Sequence, residues 1–276
     1  MRRLNASTTR RLLLWLFDEP SNDPYISLTF DVDLAPARAF LGAFEREHGE
    51  RVSVQHLVTK AVARCLAELP ALNVKILNRS LYQLERVDIA VPVHLGGGAR
   101  GDETGMTIVH HVDKKSLLEV ARETRRGARA ERDGELAASG SAFARRLSRW
   151  APDALMRAGL DATRALLVRP TTYRLLEPWV GVSSAVTNVG AVFALPKGAR
   201  FRAGSAHAPA KLGHVASIFG VAPAEDDAAV EDGEIVARKV LPVLMVVDHR
   251  AVDGFLMATA ASRVAEALLD PSWLGA

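Results

Sequence analysis

The stretch VLPVLMVVDHRAVDG, residues 240–254, decides the fold. Its first part, residues 240–247, is almost wholly apolar and rich in β-branched side chains, which predicts a strand buried on both faces. Apolar residues recur at helical spacing from 255 to 268, so we expect a helix that packs back onto the sheet. His249 therefore lies where a rigid strand ends and the chain turns, a position that suits a base aimed at a substrate.

The turn itself carries the string DHRAVDG, residues 248–254. A lone histidine at a strand end is usually a packed residue without chemistry, and the spacing His-x-x-x-Asp-Gly alone is weak evidence. The full string after a buried strand resembles the active-site motif of the acyltransferase core of 2-oxo-acid dehydrogenase complexes. That family shares its fold with chloramphenicol acetyltransferase, which has histidine where this chain has Asp248. The resemblance implies that His249 is the catalytic base.

A second stretch, VSSAVTNVG at residues 182–190, resembles the Thr/Ser-Asn-x-Gly strand of the same family. A hydroxyl in that strand stabilises the tetrahedral intermediate, and the resemblance implies this role for Thr187. Most members have serine there; threonine keeps the hydroxyl, and its methyl group narrows the site. On local grounds Thr187 is equally an ordinary β-branched strand residue. Asn188 is expected to brace the turn into Gly190.

Asp253 is too near along the chain to be a simple relay partner of His249, and the resemblance implies that it braces the motif loop. The resemblance implies a buried ion pair between Asp253 and an arginine near the amino terminus. Arg10 and Arg11 both match that position, and the choice between them stays open. Gly254 completes the supporting set. Breaking such a buried pair costs several kcal/mol, so this role concerns structure.

The predicted elements include hairpins as well as crossovers, so we expect an α/β fold with a mixed sheet. The resemblance implies one chloramphenicol-acetyltransferase-like domain over residues 1–276, a two-layer α+β sandwich assembled as trimers with active sites between subunits. Residues 131–176 depart from the family as a predicted helical insertion rich in arginine. That composition fits a membrane-surface or acyl-chain-covering hairpin, or an ordinary solvated insertion, which we favour. No lipoyl or peripheral-subunit-binding module is apparent, so no lipoyl group is expected on this chain.

Local signals place other elements. Pro36 suits the first turn of a helix that ends near Gly49, and Ser53 can cap the helix that follows. His110 and His111 fall on a predicted strand, where neighbours point to opposite faces and cannot share one metal site. The predicted strands are residues 25–32, 72–77, 81–84, 88–93, 106–112, 213–221 and 235–238, with a helix from Asp113 to about Arg129 and a hairpin turn at Asp232-Gly233.

Composition narrows the class of protein. The 276 residues are 49% hydrophobic, enough for an ample core, and no 18-residue apolar run predicts a membrane span. A net charge of +3 favours an anionic cofactor, whereas nucleic-acid binding is not expected, since aromatics do not interleave the arginines. The single cysteine, Cys65, excludes an internal disulfide and fits a reducing cytoplasm; its apolar helix face predicts core filling.

The resemblance implies an enzyme, an acyltransferase that moves an acyl group between a coenzyme A thioester and an acceptor, with no metal. Three hypotheses follow. The chain is a free-standing transferase acting on a small acceptor, which the insertion favours; a catalytic core of a dehydrogenase complex that serves a lipoyl domain on another chain; or a non-catalytic assembly core. The presence of His249, Thr187 and Asp253 together argues against the last.

Overall fold

A computed structural model describes residues 2–3, 24–94, 104–133, 165–191 and 214–274, with residues 158, 162, 196, 199, 200 and 204. The strands are β1 Arg2–Arg3, β2 Tyr25–Asp33, β3 Val74–Leu77, β4 Ser80–Gln83, β5 Ile89–His94, β6 Thr104–Val109, β7 Ser184–Asn188, β8 Ser217–Val221, β9 Glu225–Glu231 and β10 Glu234–Asp248. The helices are α1 Ala35–His48, α2 Val54–Glu68, α3 Leu117–Asp133, α4 Pro170–Val180 and α5 Gly254–Leu269, with 3-10 turns at Val189–Ala191 and Pro271–Leu274.

The described strands form two sheets. The larger has the order β2-β10-β8-β7-β5-β6, with β9 paired to β10, and the smaller has the order β1-β4-β3. Strand β7 runs parallel to both β5 and β8, while the other pairs are antiparallel. The expected mixed sheet is therefore confirmed.

Strand β10 is the centre of the larger sheet. Its second half pairs with β2 on one side and with β8 on the other, and the predicted strand over residues 240–247 is confirmed. Its first half pairs with β9 across the predicted turn, where Asp232 has φ 50 and Gly233 has φ 87. Two positive φ angles in a two-residue loop match the right-handed twist of the strands, so the hairpin is tight and β10 runs on unbroken.

Successive residues of β10 face opposite sides of the sheet. Val243, Met245 and Val247 belong to the main core, which they share with α1, α2, α3 and α5. Leu244 and Val246 point the other way, into a smaller apolar cluster with residues of β5, β7 and β8. Because apolar clusters cover both faces of the strand, residues 240–247 are apolar at every position instead of alternating with polar residues.

The helix signals are confirmed at α1 and α2. Pro36 lies in the first turn of α1, which ends at Gly49 with φ 67, a left-handed conformation that glycine adopts readily. Ser53 is the N-cap of α2 and forms a capping box with His56. The thiol of Cys65, also in α2, is buried, and this burial raises its pKa to about 12, as suits core filling.

The strand predicted over residues 213–221 begins only at Ser217. Long-range bonds explain two other predicted boundaries that are wrong. Helix α3 begins at Leu117 instead of Asp113, because the Lys60 ammonium donates to the carbonyls of residues 112, 113 and 115 and holds them in a turn. Strand β6 ends at Val109, and the two histidines that follow it bind buried Asp88. His110 does so through its ring and His111 through its backbone N–H.

Part of the predicted insertion packs on the smaller sheet. Tyr173 and Leu176 of α4 contact Leu77 and Leu84 and form a third apolar cluster with them. The ammonium of Lys75 in β3 lies 5.5 Å from the ring centroid of Tyr173. Of the predicted insertion at residues 131–176, residues 134–164 lie outside the described residues, apart from 158 and 162.

The capping box gives the fold a pH dependence. The Nδ1 atom of His56 accepts a hydrogen bond from the backbone N–H of Ser53 at 3.1 Å, so the neutral ring is the form that caps the helix. Burial, reinforced by the positive charge of Arg125, lowers the pKa of His56 to about 4.

Stability is therefore expected to fall as the pH drops from about 6.5 towards 4, because the unfolded chain takes up a proton first. The loss at His56 is on the order of 3 kcal/mol. The variant His56→Gln keeps a capping-box acceptor that does not titrate, so its stability should fall less steeply. In His56→Gln the free energy of unfolding should still rise with pH, because burial also lowers the pKa of His214. Urea unfolding across this range measures both slopes, and equal slopes would refute the assignment.

Candidate active site

His249 lies in the tight turn directly after β10. Its backbone N–H donates to the carbonyl of Pro24 at 2.7 Å, which ties the turn to the start of β2. Its ring Nδ1 lies 3.1 Å from the carbonyl oxygen of Val252. A carbonyl can only accept, so this bond requires the proton on Nδ1 and leaves the lone pair on Nε2. The ring is partly buried and held in the tautomer that a base needs.

Asp248 is the buried charge of the motif. The sequence predicts the buried carboxylate at Asp253, but it is the side chain of Asp248 that has no exposed surface. Its carboxylate accepts bonds from Arg250, through the backbone N–H at 2.9 Å and through Nη2 at 2.7 Å. It also lies 2.9 Å from Nε2 of His214. Burial alone would raise the pKa of Asp248, but the bonds from His214 and Arg250 lower it to about 2.

The expected burial of Asp253 is not found in the single chain, whereas its expected ion pair with an amino-terminal arginine stays a prediction. Asp253 is exposed rather than buried in the chain, and it is the N-cap of α5, where its carboxylate accepts from the backbone N–H of Leu256 at 2.9 Å. Arg10 and Arg11 lie outside the described residues. Gly254 is the first residue of α5, and a Cβ there would meet no atom within 4 Å. Asp253 therefore supports the motif by starting the helix that follows it.

Replacing Asp253 with alanine is expected to cost about 1 kcal/mol, the usual loss for a helix N-cap. The matched variant Asp253→Asn keeps a capping oxygen and removes the charge, so its stability should stay near that of the native chain. Thermal melts of the three proteins measure the difference. If the asparagine variant loses as much as the alanine variant, the charge matters, as an ion pair with Arg10 or Arg11 would require.

Thr187 lies near the end of β7, on the sheet face opposite the helix layer. Its methyl carbon would lie 3.7 Å from a Cβ at Gly220, beside Leu244 of β10. The residue is partly buried, and its hydroxyl has no hydrogen-bond partner among the described residues. Asn188 likewise makes no side-chain hydrogen bond to the described residues, and its role as a brace of the turn stays a prediction. A Cβ at Gly190 would lie 2.8 Å from Pro223 N, so close packing at that glycine shapes the turn.

The chain does not bring Thr187 and His249 together. Thr187 pairs with Gly220 of β8, which pairs with Leu244 of β10. His249 follows Leu244 by five residues, roughly 16 Å along an extended strand, and two strand spacings add roughly 10 Å across the sheet. The two residues lie towards opposite ends of the sheet, too far apart to act on one substrate within a single chain.

The described part of the chain contains no group of three or more histidine, cysteine, aspartate or glutamate side chains arranged to hold a metal ion. Within the same part, no helix combines the length and the apolar character that crossing a membrane requires.

Solved structures with the same fold include two acetyltransferases. The dihydrolipoamide acetyltransferase of Azotobacter vinelandii superposes with a TM-score of 0.64 at 22% identity, over 97% of this chain and 88% of that one. A chloramphenicol acetyltransferase superposes with a TM-score of 0.53 at 14% identity, over 95% of this chain and 96% of that one. At these identities the likeness shows the fold alone, and the fold predicted from the sequence is confirmed.

Curated relatives carry related names. The succinyltransferase component of the 2-oxoglutarate dehydrogenase complex of Bartonella vinsonii subsp. berkhoffii is 26% identical over 99% of this chain. The acetyltransferase component of the acetoin cleaving system of Bacillus subtilis is 26% identical over 76% of it. The chain spans 54% of the length of the first and 39% of the second.

A family match settles the classification. Residues 7–142 and 208–276 match the acyltransferase (catalytic domain) family of 2-oxoacid dehydrogenases. The matched segments hold the motif from Asp248 to Gly254, while Thr187 lies in the segment between them. Since the match covers more than half of the chain, the chain belongs to the 2-oxoacid dehydrogenase acyltransferase (catalytic domain) family.

Proposed function

We propose that the chain is an acyltransferase that moves an acyl group between a coenzyme A thioester and an acceptor, with His249 as the general base. The observation that carries the proposal is the bond from the Nδ1–H of His249 to the carbonyl of Val252, which leaves the Nε2 lone pair to take a proton. A neutral imidazole has a pKa suited to this task near neutrality.

The reaction follows from this tautomer. Nε2 of His249 removes the proton from the acceptor, whose thiol, hydroxyl or amine then attacks the thioester carbonyl. The bond that forms leaves a negative oxygen, and the hydroxyl of Thr187 donates to it. When the carbon–sulfur bond breaks, the leaving sulfur of coenzyme A takes the proton back from His249. The bonds and protons therefore balance with His249, Thr187 and the two substrates, and the reaction needs no metal.

We propose further that each site is shared by two subunits of a homotrimer. The separation of Thr187 and His249 within the chain supports this, because the two halves of the chemistry lie towards opposite ends of one sheet. A closed cyclic trimer can place the His249 end of one chain against the Thr187 end of the next, so that three identical sites form.

The identity of the acyl acceptor distinguishes two candidate functions. The relatives are named as dihydrolipoyllysine-residue acyltransferases, which supports a lipoyl group on a partner protein as the acceptor. The segment of residues 143–207, which lies between the two matched parts of the family, supports the free-standing transferase with a small acceptor that the sequence favours. We propose a coenzyme A thioester as the acyl carrier in both cases and a cytoplasmic location.

The test is product analysis with a panel of acyl-coenzyme A thioesters and of thiol, amine and hydroxyl acceptors, including a free lipoyl domain. Release of the coenzyme A thiol and the mass of the acylated acceptor are both measured. Acylation of one acceptor class that depends on His249 supports the proposal. Absence of acyl transfer from every thioester to every acceptor would reject it and favour a non-catalytic core.

Replacing Thr187 with alanine is expected to slow turnover by roughly a hundredfold or more, the usual loss for one oxyanion donor. The control Thr187→Ser keeps the hydroxyl and removes only the methyl group, so its rate should stay within a few-fold of the native rate. Steady-state kinetics with one thioester and one acceptor compare the two. If the serine and alanine variants lose activity equally, the hydroxyl is not the donor.

A further inference from the structure

His214 has no part in the reaction as described above. It comes just before β8, and 9% of its side-chain surface is exposed. Its two ring nitrogens both have partners. Nδ1 accepts a hydrogen bond from the backbone N–H of Ile76 in β3 at 3.0 Å. Nε2 lies 2.9 Å from the carboxylate of Asp248, at the residue next to His249.

These two contacts fix the protonation of His214. The backbone N–H of Ile76 can only donate, so Nδ1 must carry the lone pair. The proton is then on Nε2, which donates it to Asp248. A second proton on the ring would face the N–H of Ile76 and break that bond. The ring is therefore a neutral donor with one fixed orientation.

The charges around His214 agree with a neutral ring. Burial lowers the pKa of His214, and the charges of Lys75 and Arg250 lower it too, although the hydrogen bond and charge of Asp248 oppose this. Asp248 and Arg250 form an ion pair at 2.7 Å, so a neutral His214 adds a hydrogen bond to this pair without adding a charge.

A continuous series of bonds leads from His214 to the motif histidine. Asp248 accepts from His214, and its backbone carbonyl accepts from the N–H groups of Ala251 and Val252, both at 2.9 Å. This closes the turn that contains His249. The carbonyl of Val252 then accepts from Nδ1 of His249 at 3.1 Å. The Asp248 carboxylate also accepts from the backbone N–H of Arg250 inside this turn, at 2.9 Å. Its position therefore helps to set the turn, and the turn places the Val252 carbonyl that orients the His249 ring.

We propose that His214 is a positioning residue for His249, which it orients through the hydrogen bond from its Nε2–H to Asp248. The inference rests on the proposed function, in which His249 is the base. The sequence gives no hint of this role, since His214 lies 34 residues before Asp248, the first residue of the motif. A displacement of about 1 Å at a reacting group can lower the rate by about a hundredfold.

Two variants separate the two hydrogen bonds of His214. In His214→Gln the side-chain amide reaches the level of Nε2 and can donate to Asp248, while the bond from Ile76 is lost. In His214→Asn the shorter amide lies at the level of Nδ1 and can accept from Ile76, while Asp248 loses its donor. Each variant loses one bond, so their stabilities should fall by similar amounts, and thermal melts check this.

The first readout is turnover. We expect His214→Asn to lower kcat by about tenfold to a hundredfold with a KM for the acyl thioester within about twofold of the native value. His214→Gln should keep kcat within about threefold. The second readout does not need catalysis. Diethyl pyrocarbonate modifies unprotonated imidazole nitrogens, and peptide mass spectrometry follows its reaction at His249, which should change severalfold in the asparagine variant and little in the glutamine variant.

The outcomes are distinct. If both variants keep the native kcat and the native modification rate at His249, the inference is wrong. It is equally wrong if both quantities change by the same factor in the two variants, because His214 then has only a structural role. If the native protein transfers no acyl group but the modification rates differ as expected, the positioning holds and the proposed function fails. If transfer is found and the asparagine variant matches the native protein in both readouts, the function stands and the positioning fails.

Discussion

Replacing His249 with alanine should lower the rate of acyl transfer by about a hundredfold to ten-thousandfold, the range that a general base contributes. The protein should remain folded, because the backbone bond from residue 249 to Pro24 and the ion pair of Asp248 with Arg250 do not need the imidazole. Release of the coenzyme A thiol measures the rate, and circular dichroism with a thermal melt measures the fold.

A matched control is His48→Ala. His48 is exposed at the end of α1 and stacks on Phe44, with ring centroids 4.0 Å apart. Its removal takes away one imidazole without touching the motif turn, so the transfer rate should not change. Near-native turnover in a folded His249→Ala protein would remove His249 from the chemistry, whatever the control shows.

The elements that local signals specify could be predicted from the sequence. The apolar run of β10, the proline in the first turn of α1 and the serine cap of α2 each determine a boundary through residues only a few positions away. The two-residue turn at Asp232 and Gly233 is equally local. For such elements the interaction that fixes the structure lies within the stretch that encodes it.

The boundaries that failed depend on distant residues. Lys60 holds the turn before α3 from a position more than fifty residues earlier, and Asp88 ends β6 by binding the backbone of His111. A local helix or strand pattern contains no information about such partners. The helix predicted from the amphipathic pattern therefore starts at Asp113, four residues before the observed start at Leu117.

The candidate site divides in the same way. The motif pointed to His249 through family resemblance, and the strand before it gave its position. The resemblance implies a buried carboxylate at Asp253, whereas the fold buries Asp248, whose backbone N–H donates to Ala216 and whose carboxylate binds His214. His214 lies in neither of the two motifs, and only the fold brings it to Asp248.

The shared site leads to the second large effect. Two inactive proteins, His249→Ala and Thr187→Ala, should regain activity when they are coexpressed and form mixed trimers. A site is complete where the chain that supplies His249 is the Thr187 variant and its neighbour is the His249 variant. With random assembly of equal amounts, this holds for about a quarter of the sites. In mixed trimers purified through two different tags, it holds for about a third, one site in each trimer.

A reciprocal mixture provides the control. Native chains mixed equally with the double variant His249→Ala, Thr187→Ala should also show about a quarter of native activity if each site is shared. If both residues act within one chain, the same mixture should show about half, and the mixture of single variants none. The ratio of the two mixtures therefore distinguishes the arrangements without reference to absolute rates.

The most direct measurement is the transfer rate of the two-tag mixed trimers of His249→Ala and Thr187→Ala, compared with each variant alone. A site assembled from His249 of one subunit and Thr187 of the next predicts recovery to about a third of the native rate per trimer. Mixed trimers no more active than the single variants, with both tags shown to be present in one assembly, would contradict it.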